Sequence, residues 1–320
     1  MKTPKLLRER LALLTTLLAL VFITTLRAAA PTAPPKETKR LFWKITSPTT
    51  TVSFLGSIHA AAADTYPLPP EIEAAFKDSS QLVVECDVTK VNQDALTLQV
   101  MQQGMYPPGD SLDKHLSPAT YKAVSEFFAA NGMPMQMVMT MKPPLASLTI
   151  ESLQILKSGL DPNDGIDMHF LKAASDDKSK KIVELETADY QMKLLFGLDD
   201  KLADRAILES LKEGSKDTLD KVVKAWKEGD DKTVDTLMTG DEKNDPDEKK
   251  MNQVMLYDRN DAMVKKIDDL LKGKEKTMVV VGAAHLVGDK GILKQLEAKG
   301  YKVERPKLTT PPATKPAGNN

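Results

Sequence analysis

Cysteine is all but missing from this chain: Cys86 is the only one in 320 residues, so no internal disulfide can form. It lies within the strand-like run Gln81–Cys86, where a small buried hydrophobe is expected rather than a reactive thiol. An excess of either charge is missing too, with 44 Lys and Arg against 45 Asp and Glu. That balance, without a basic stripe, excludes broad phosphate-backbone binding, and no nucleic-acid partner is expected. The apolar run from Leu11 to Leu26 is broken by threonines and falls short of the ~20 residues that span a bilayer. Two catalytic signatures are absent. No H-E-x-x-H excludes a conventional zincin, and no G-x-S-x-G argues against a serine α/β-hydrolase.

The N-terminus carries Lys2, Lys5, Arg8 and Arg10 against Glu9, then the apolar run, then Arg27-Ala28-Ala29-Ala30-Pro31. This order reads as a secretory signal over 1–30, cut after Ala30. A periplasmic or secreted protein without stable membrane insertion is then expected, an uncleaved anchor being the minor alternative. No cysteine closes the run for lipid attachment. The leader holds five basic residues and one acid, so 39 basic and 44 acidic residues remain after it, a net charge of −5. Residues 31–39 and 306–320 are rich in Pro, Thr, Ala and Lys and read as flexible tails, leaving one core over 40–305.

Within that core, Leu41–Ile45 and Thr51–Leu55 flank a Pro-containing turn and predict a hairpin. A short helix over Glu71–Lys77 and a buried strand over Gln81–Cys86 follow. Apolar periodicity predicts helices at 90–103, 118–130, 147–158, 165–175, 201–228 and 251–272. Lys181–Glu186 reads as a strand and the charged stretch 238–250 as a solvated loop. Thr277–Val281, a helix near 289–299 and Tyr301–Glu304 form a βαβ-like unit. The pattern predicts a single α/β domain, with a mixed central sheet from both chain ends and an inserted helical region.

Only four histidines are present, and two close the same pattern: Gly56-Ser57-Ile58-His59 and Gly282-Ala283-Ala284-His285, each behind an apolar strand. Glycine lets a backbone leave a strand through conformations closed to other residues. A side chain three places on would stand above the carboxyl end of the sheet, where α/β proteins place their sites. Imidazole serves there as metal ligand or as acid and base near neutral pH. Glu85 ends an apolar strand, where a carboxylate needs a partner. Glu186 ends another and invites the same reading, with a structural ion pair as the alternative for both.

Residues 40–305 resemble the TraB/GumN family, also called TraB/PrgY/GumN and related to the TIKI proteins. The matching pieces are Phe54–His59, Val83–Glu85, Gly165-Ile166-Asp167, Val183–Thr187, Arg259-Asn260 and Val280–Gly288. The resemblance implies that His59, Glu85, Arg259 and His285 are functional, with Glu186, Asn260 and Asp167 in support. It also implies a hydrolase, on the pattern of TIKI metal-dependent proteases and erythromycin-esterase-like relatives. ChaN-like haem binders in the wider superfamily imply a non-catalytic haem or metal carrier as the alternative. With a divalent ion (manganese, cobalt or zinc), His59, Glu85 and His285 would be its ligands. Without one, a histidine would act as base while Glu85 orients water and Arg259 stabilises the oxyanion. A peptide or small molecule is the expected substrate class.

His169 near a helix start and His115 without a visible partner read as structural. Met133, Met135, Met137, Met139 and Met141 alternate, which would suit Cu(I) in an exported protein. On a helix such steps split between two faces, so adaptable core filler or flexible apolar surface is the reading taken.

Overall fold

The structure, a computed structural model, describes residues 37–211 and 215–311. The expected signal peptide lies outside the described residues. Among them, no helix is long and apolar enough to cross a membrane.

The chain begins with β1 (Glu37–Thr38), then the hairpin β2 (Phe42–Thr46) and β3 (Thr51–Ser57), paired in the register Phe42↔Leu55 to Thr46↔Thr51. Ser47 Oγ accepts from the Thr50 amide (3.1 Å) and closes the turn. Next come α1 (Pro70–Asp78), β4 (Gln81–Val84), α2 (Gln93–Gly104), α3 (Pro118–Ala130), α4 (Met135–Val138), α5 (Pro143–Ser158) and α6 (Ile166–Asp176). After β5 (Lys181–Glu184) the chain runs through α7 (Ala188–Phe196), α8 (Asp200–Leu211), α9 (Ser215–Glu228), α10 (Asp231–Thr239) and α11 (Pro246–Asn252). A single π-turn over Gln253–Tyr257 leads into α12 (Asp258–Lys272). The last elements are β6 (Thr277–Gly282), α13 (Ala283–Leu286), α14 (Ile292–Ala298), β7 (Val303–Glu304) and β8 (Leu308–Thr309).

The main sheet has the order β5-β4-β6-β3-β2-β7. Strands β5, β4, β6 and β3 are parallel, and β2 turns back against both β3 and β7. This is the mixed sheet from both chain ends that the sequence predicts. β6 lies in its middle, paired on both sides and buried along Thr277–Val281, which is why its sequence is unbroken Met-Val-Val-Val rather than alternating. The β6–α14–β7 unit is a parallel crossover, with β3 and β2 lying between its strands.

Three details differ from expectation. The stretch 201–228 is two helices, α8 and α9, not one. The charged stretch 238–250 is not a loop throughout: Asp245 caps α11 by accepting from the Asp247 and Glu248 amides, with Pro246 in the first turn, and it also holds Arg205. The inner ends of the segments read as flexible are paired as β1 and β8, with Leu308 2% exposed and Thr309 bonded to Glu71. The methionine run is largely turns around α4. Met133, Met135 and Met141 pack on a second apolar cluster around Phe128 and Ile150, while Met137 faces solvent.

Candidate active site

Strand register brings the two G-x-x-H segments together. Gly56 pairs with Val281 and Ser57 with Gly282, so β3 and β6 end level and both histidines leave the same edge of the sheet. Glu85 follows β4 on the other side of β6, one residue beyond the Val84↔Val280 pair. A point one bond length above the Gly282 Cα lies 3.1 Å from Glu85 Oε1, 3.5 Å from His285 Cδ2 and 3.9 Å from His59 Nε2. The three side chains therefore converge, as predicted for the parallel strands' carboxyl end.

The glycines are there for a different reason from the one predicted. Neither Gly56 nor Gly282 has a positive φ. Each is small because something is pressed against it. A Cβ on Gly56 would sit 3.1 Å from Leu41 Cβ and from Ala283 Cα, and one on Gly282 would crowd the Glu85 carboxylate that its own amide binds at 2.7 Å. Gly165 follows the same rule, since a Cβ there would overlap the His59 carbonyl. That close approach lets the Ile166 amide bond to Ile58 O (3.0 Å) and sets the first turn of α6 beside His59.

Each imidazole is held by its Nδ1. His59 Nδ1 lies 2.9 Å from Asp167 Oδ2, and the other Asp167 oxygen accepts from Ser57 Oγ at 2.6 Å. The hydrogen bond and then the charge of Asp167 raise the His59 pKa to about 9, against desolvation. His59 is pinned on one side and open on the other, its side chain 75% accessible. His285 is 4% exposed, with Nδ1 2.6 Å from Asn260 Oδ1. The Asn260 amide nitrogen is spent on Lys290 O (3.0 Å), so Asn260 presents oxygen and His285 donates from Nδ1.

Glu85 and Glu186 share one guanidinium. Arg259 reaches Glu186 through Nε (2.8 Å) and Nη2 (2.7 Å), and Glu85 Oε2 through Nη2 (2.6 Å); its Nη1 binds Met255 O (3.0 Å) in the π-turn. Gln191 adds a bond to Glu186 at 3.0 Å. Burial pushes the Glu85 carboxyl up, but His285, His59 and Arg259 outweigh it and hold it well below the usual carboxylate range. Burial likewise lowers the Arg259 pKa, and the two glutamates overturn it. Glu85 is thus an anion at neutral pH, 3.6 Å from His285 Nε2, too far for a direct hydrogen bond. Glu186 and Glu85 thus form ion pairs with the same cation.

These groups floor a cavity of about 930 Å³, which takes in His59, Glu85, Arg259, Gly282 and His285 and rises along α5, α9 and α10. The remaining histidines lie elsewhere. His169 stacks on Tyr66 with ring centres 4.6 Å apart. His115 bridges Asp200 (2.7 Å) and Asp110 (3.1 Å), so it has partners that its sequence context did not reveal. Burial, then Glu184, raise the Cys86 thiol to about 11, in keeping with a protonated structural cysteine. Ser57, Gln191 and Met255 O complete the site and were not singled out from sequence. Ser57 had a signal, lying inside the first G-x-x-H; the other two had none.

A divalent ion fits this donor set only in part. Two imidazoles oriented through Nδ1 are the usual supports of metal-ligating histidines. The carboxylate is otherwise engaged, Oε1 by the Gly282 amide and Oε2 by Arg259. Among the described residues, no group of three or more His, Cys, Asp or Glu side chains is arranged to hold a metal ion.

Fold and site define an α/β protein with a two-histidine, two-glutamate centre at the carboxyl ends of its parallel strands. The chain belongs to the TraB/PrgY/gumN family, whose model matches residues 41–305. Among curated proteins it is 27% identical over 147 residues to the uncharacterized protein YbaP of Escherichia coli (strain K12), covering 46% of this chain and 52% of that one. The YbaP of Shigella flexneri matches with the same figures. The chain spans about half the length of these relatives. No solved structure matches it.

Proposed function

We propose that this protein is a hydrolase of carboxylic acid derivatives, esters or peptide amides, working at the cavity floor. One observation carries the reading: both imidazoles are tethered by Nδ1, to Asp167 and Asn260, and present their other edges to one point beside ionised Glu85. Their partners give the two rings different roles. His285, in its neutral form, takes a proton at Nε2 from a water that Glu85 orients. The water oxygen bonds to the substrate carbonyl carbon, and Arg259 and the imidazolium of His59 face the charge that develops. The carbon–oxygen or carbon–nitrogen bond then breaks, and the leaving group takes its proton from His59 Nε2. Proton transfer between the rings through solvent restores the starting state. Environments that set one group as base and another as acid are the common device of such sites.

A divalent ion is the second reading, favoured by the two tethered imidazoles. His59, His285 and Glu85 would hold it, with Glu85 Oε2 exchanging Arg259 for the ion, and it would supply Lewis acidity. Elemental analysis of the purified protein beside a His59→Ala/His285→Ala double variant separates the two. Stoichiometric manganese, cobalt or zinc lost in the variant supports the ion, and iron with a Soret band instead supports a haem carrier. The hydrolase reading is tested by the pH–rate profile on an ester and peptide panel. The rate should fall as pH rises through about 9, where His59 loses its proton. A rate still climbing at pH above that point would remove His59 as the acid.

A further inference from the structure

The cavity is polar at its floor, and above it apolar side chains share the lining with polar groups of α5 and α8 such as Gln154 and Ser210. Leu219, Val222 and Val223 of α9, Met238 of α10, and Met255 and Leu256 of the π-turn supply the apolar part of the wall. The α9 residues fall at helical spacing with Trp226, which is fully buried and donates from Nε1 to Gly56 O at 2.6 Å. The apolar wall is therefore tied directly to the strand that carries His59. Met238 is 48% exposed on the cavity side, an aliphatic surface left uncovered.

We infer that this wall binds a linear aliphatic chain, the acyl group of an ester or amide substrate whose carboxyl carbon rests on the floor. The inference rests on the hydrolase reading for its chemistry, but the chain-binding site stands on the wall alone. A peptide main chain brings an amide donor and an acceptor at every residue, each costly to bury unpaired. The apolar side chains of α9, α10 and the π-turn give them nothing and their helical backbone is bonded within itself; the polar lining groups Thr218, Gln154 and Ser210 are too few to pair a whole main chain. Nor does a free strand edge reach the cavity. Its floor is the ends of β3 and β6, each paired on both sides, while the sheet's edges are β5 and β7. Unbranched thioethers adapt to a flexible chain better than to a rigid ring. A volume of about 930 Å³ is at the upper end of ordinary small-ligand pockets, room for a long chain. At the floor His59, protonated below about pH 9, faces a carboxylate or a polarised carbonyl through its open edge.

Calorimetric titration of the full chain with hexanoate, octanoate, decanoate and dodecanoate tests this, with Trp226 fluorescence as a second readout. Affinity should rise about threefold to fourfold per methylene. Val223→Asp should weaken dodecanoate at least tenfold and hexanoate much less. Met238→Lys, at a half-exposed position that tolerates charge, should act in the same direction if Val223→Asp fails to fold. Equal affinity across the series, or tighter binding of a capped apolar peptide than of dodecanoate, would overturn the inference. His285→Ala keeps the two readings apart. In that variant the chain-length series should persist while ester hydrolysis is lost, whereas a series in wild-type protein that hydrolyses no acyl ester upholds the acyl site and removes the hydrolase.

Discussion

Replacing Asp167 by Asn removes the charge that faces His59 and leaves the shape of the contact. In the native protein the Asp167 hydrogen bond and charge hold His59 protonated up to about pH 9. In the variant the midpoint should fall towards the ordinary value of about 6.5. The sign of the stability change follows from the raised pKa. The contribution is fully present below the unfolded value, and it is lost as pH rises through about 9. Because the His59 side chain is 75% open, water screens the pair, and its worth is on the order of 1 kcal/mol rather than the full shift. Urea unfolding of wild type and variant should therefore differ by about that amount at pH 6 and converge above pH 9. The His59 ring-proton resonance, followed by NMR, gives the midpoint itself. An unchanged midpoint in Asp167→Asn, or a stability difference that grows with pH, would refute the assignment.

Arg259→Met should destabilise the fold by about 3–5 kcal/mol in denaturant, since it leaves Glu85 and Glu186 buried without their shared cation. Restoring part of that loss with a second change, Glu186→Gln, would show that repulsion between the carboxylates is the cause. Gly165→Ala should cost about 2 kcal/mol or more and displace the His59 segment, because its new methyl overlaps the His59 carbonyl. Gly132→Ala, where nothing lies within reach but φ is +69°, should cost about 1 kcal/mol and leave the site unmoved, which circular dichroism and the His59 resonance would check.

Much of this was legible because the relevant signals are local. An apolar run ending in a buried carboxylate located Glu85, and two strands ending in G-x-x-H located the histidines. The hairpin and the buried central strand were equally plain from β-branched runs and turn residues. The order β5-β4-β6-β3-β2-β7 was not, since pairing between distant strands leaves no mark on either alone. The cap at Asp245-Pro246 did have a signal, overridden by the density of charge around it, three members of which are paired: Asp245 with Arg205, Asp247 with Lys201, Lys250 with Asp199. The role of the glycines was misread because sequence shows only that a side chain is missing. Strain at φ and pressure from a neighbour look alike until the neighbour is seen. The sharing of Arg259 between two glutamates was likewise illegible, since it joins residues 73 and 174 positions apart.

The central claim is that His59 and His285 act as one catalytic unit. A double-mutant cycle on kcat/KM for hydrolysis of an acyl ester, using His59→Gln, His285→Gln and the pair, tests it most directly. The account predicts that each single change lowers kcat/KM about 10²–10⁴-fold and that the double loses little more than the worse single. Two losses that simply multiply, or wild-type turnover in either single variant, would contradict it.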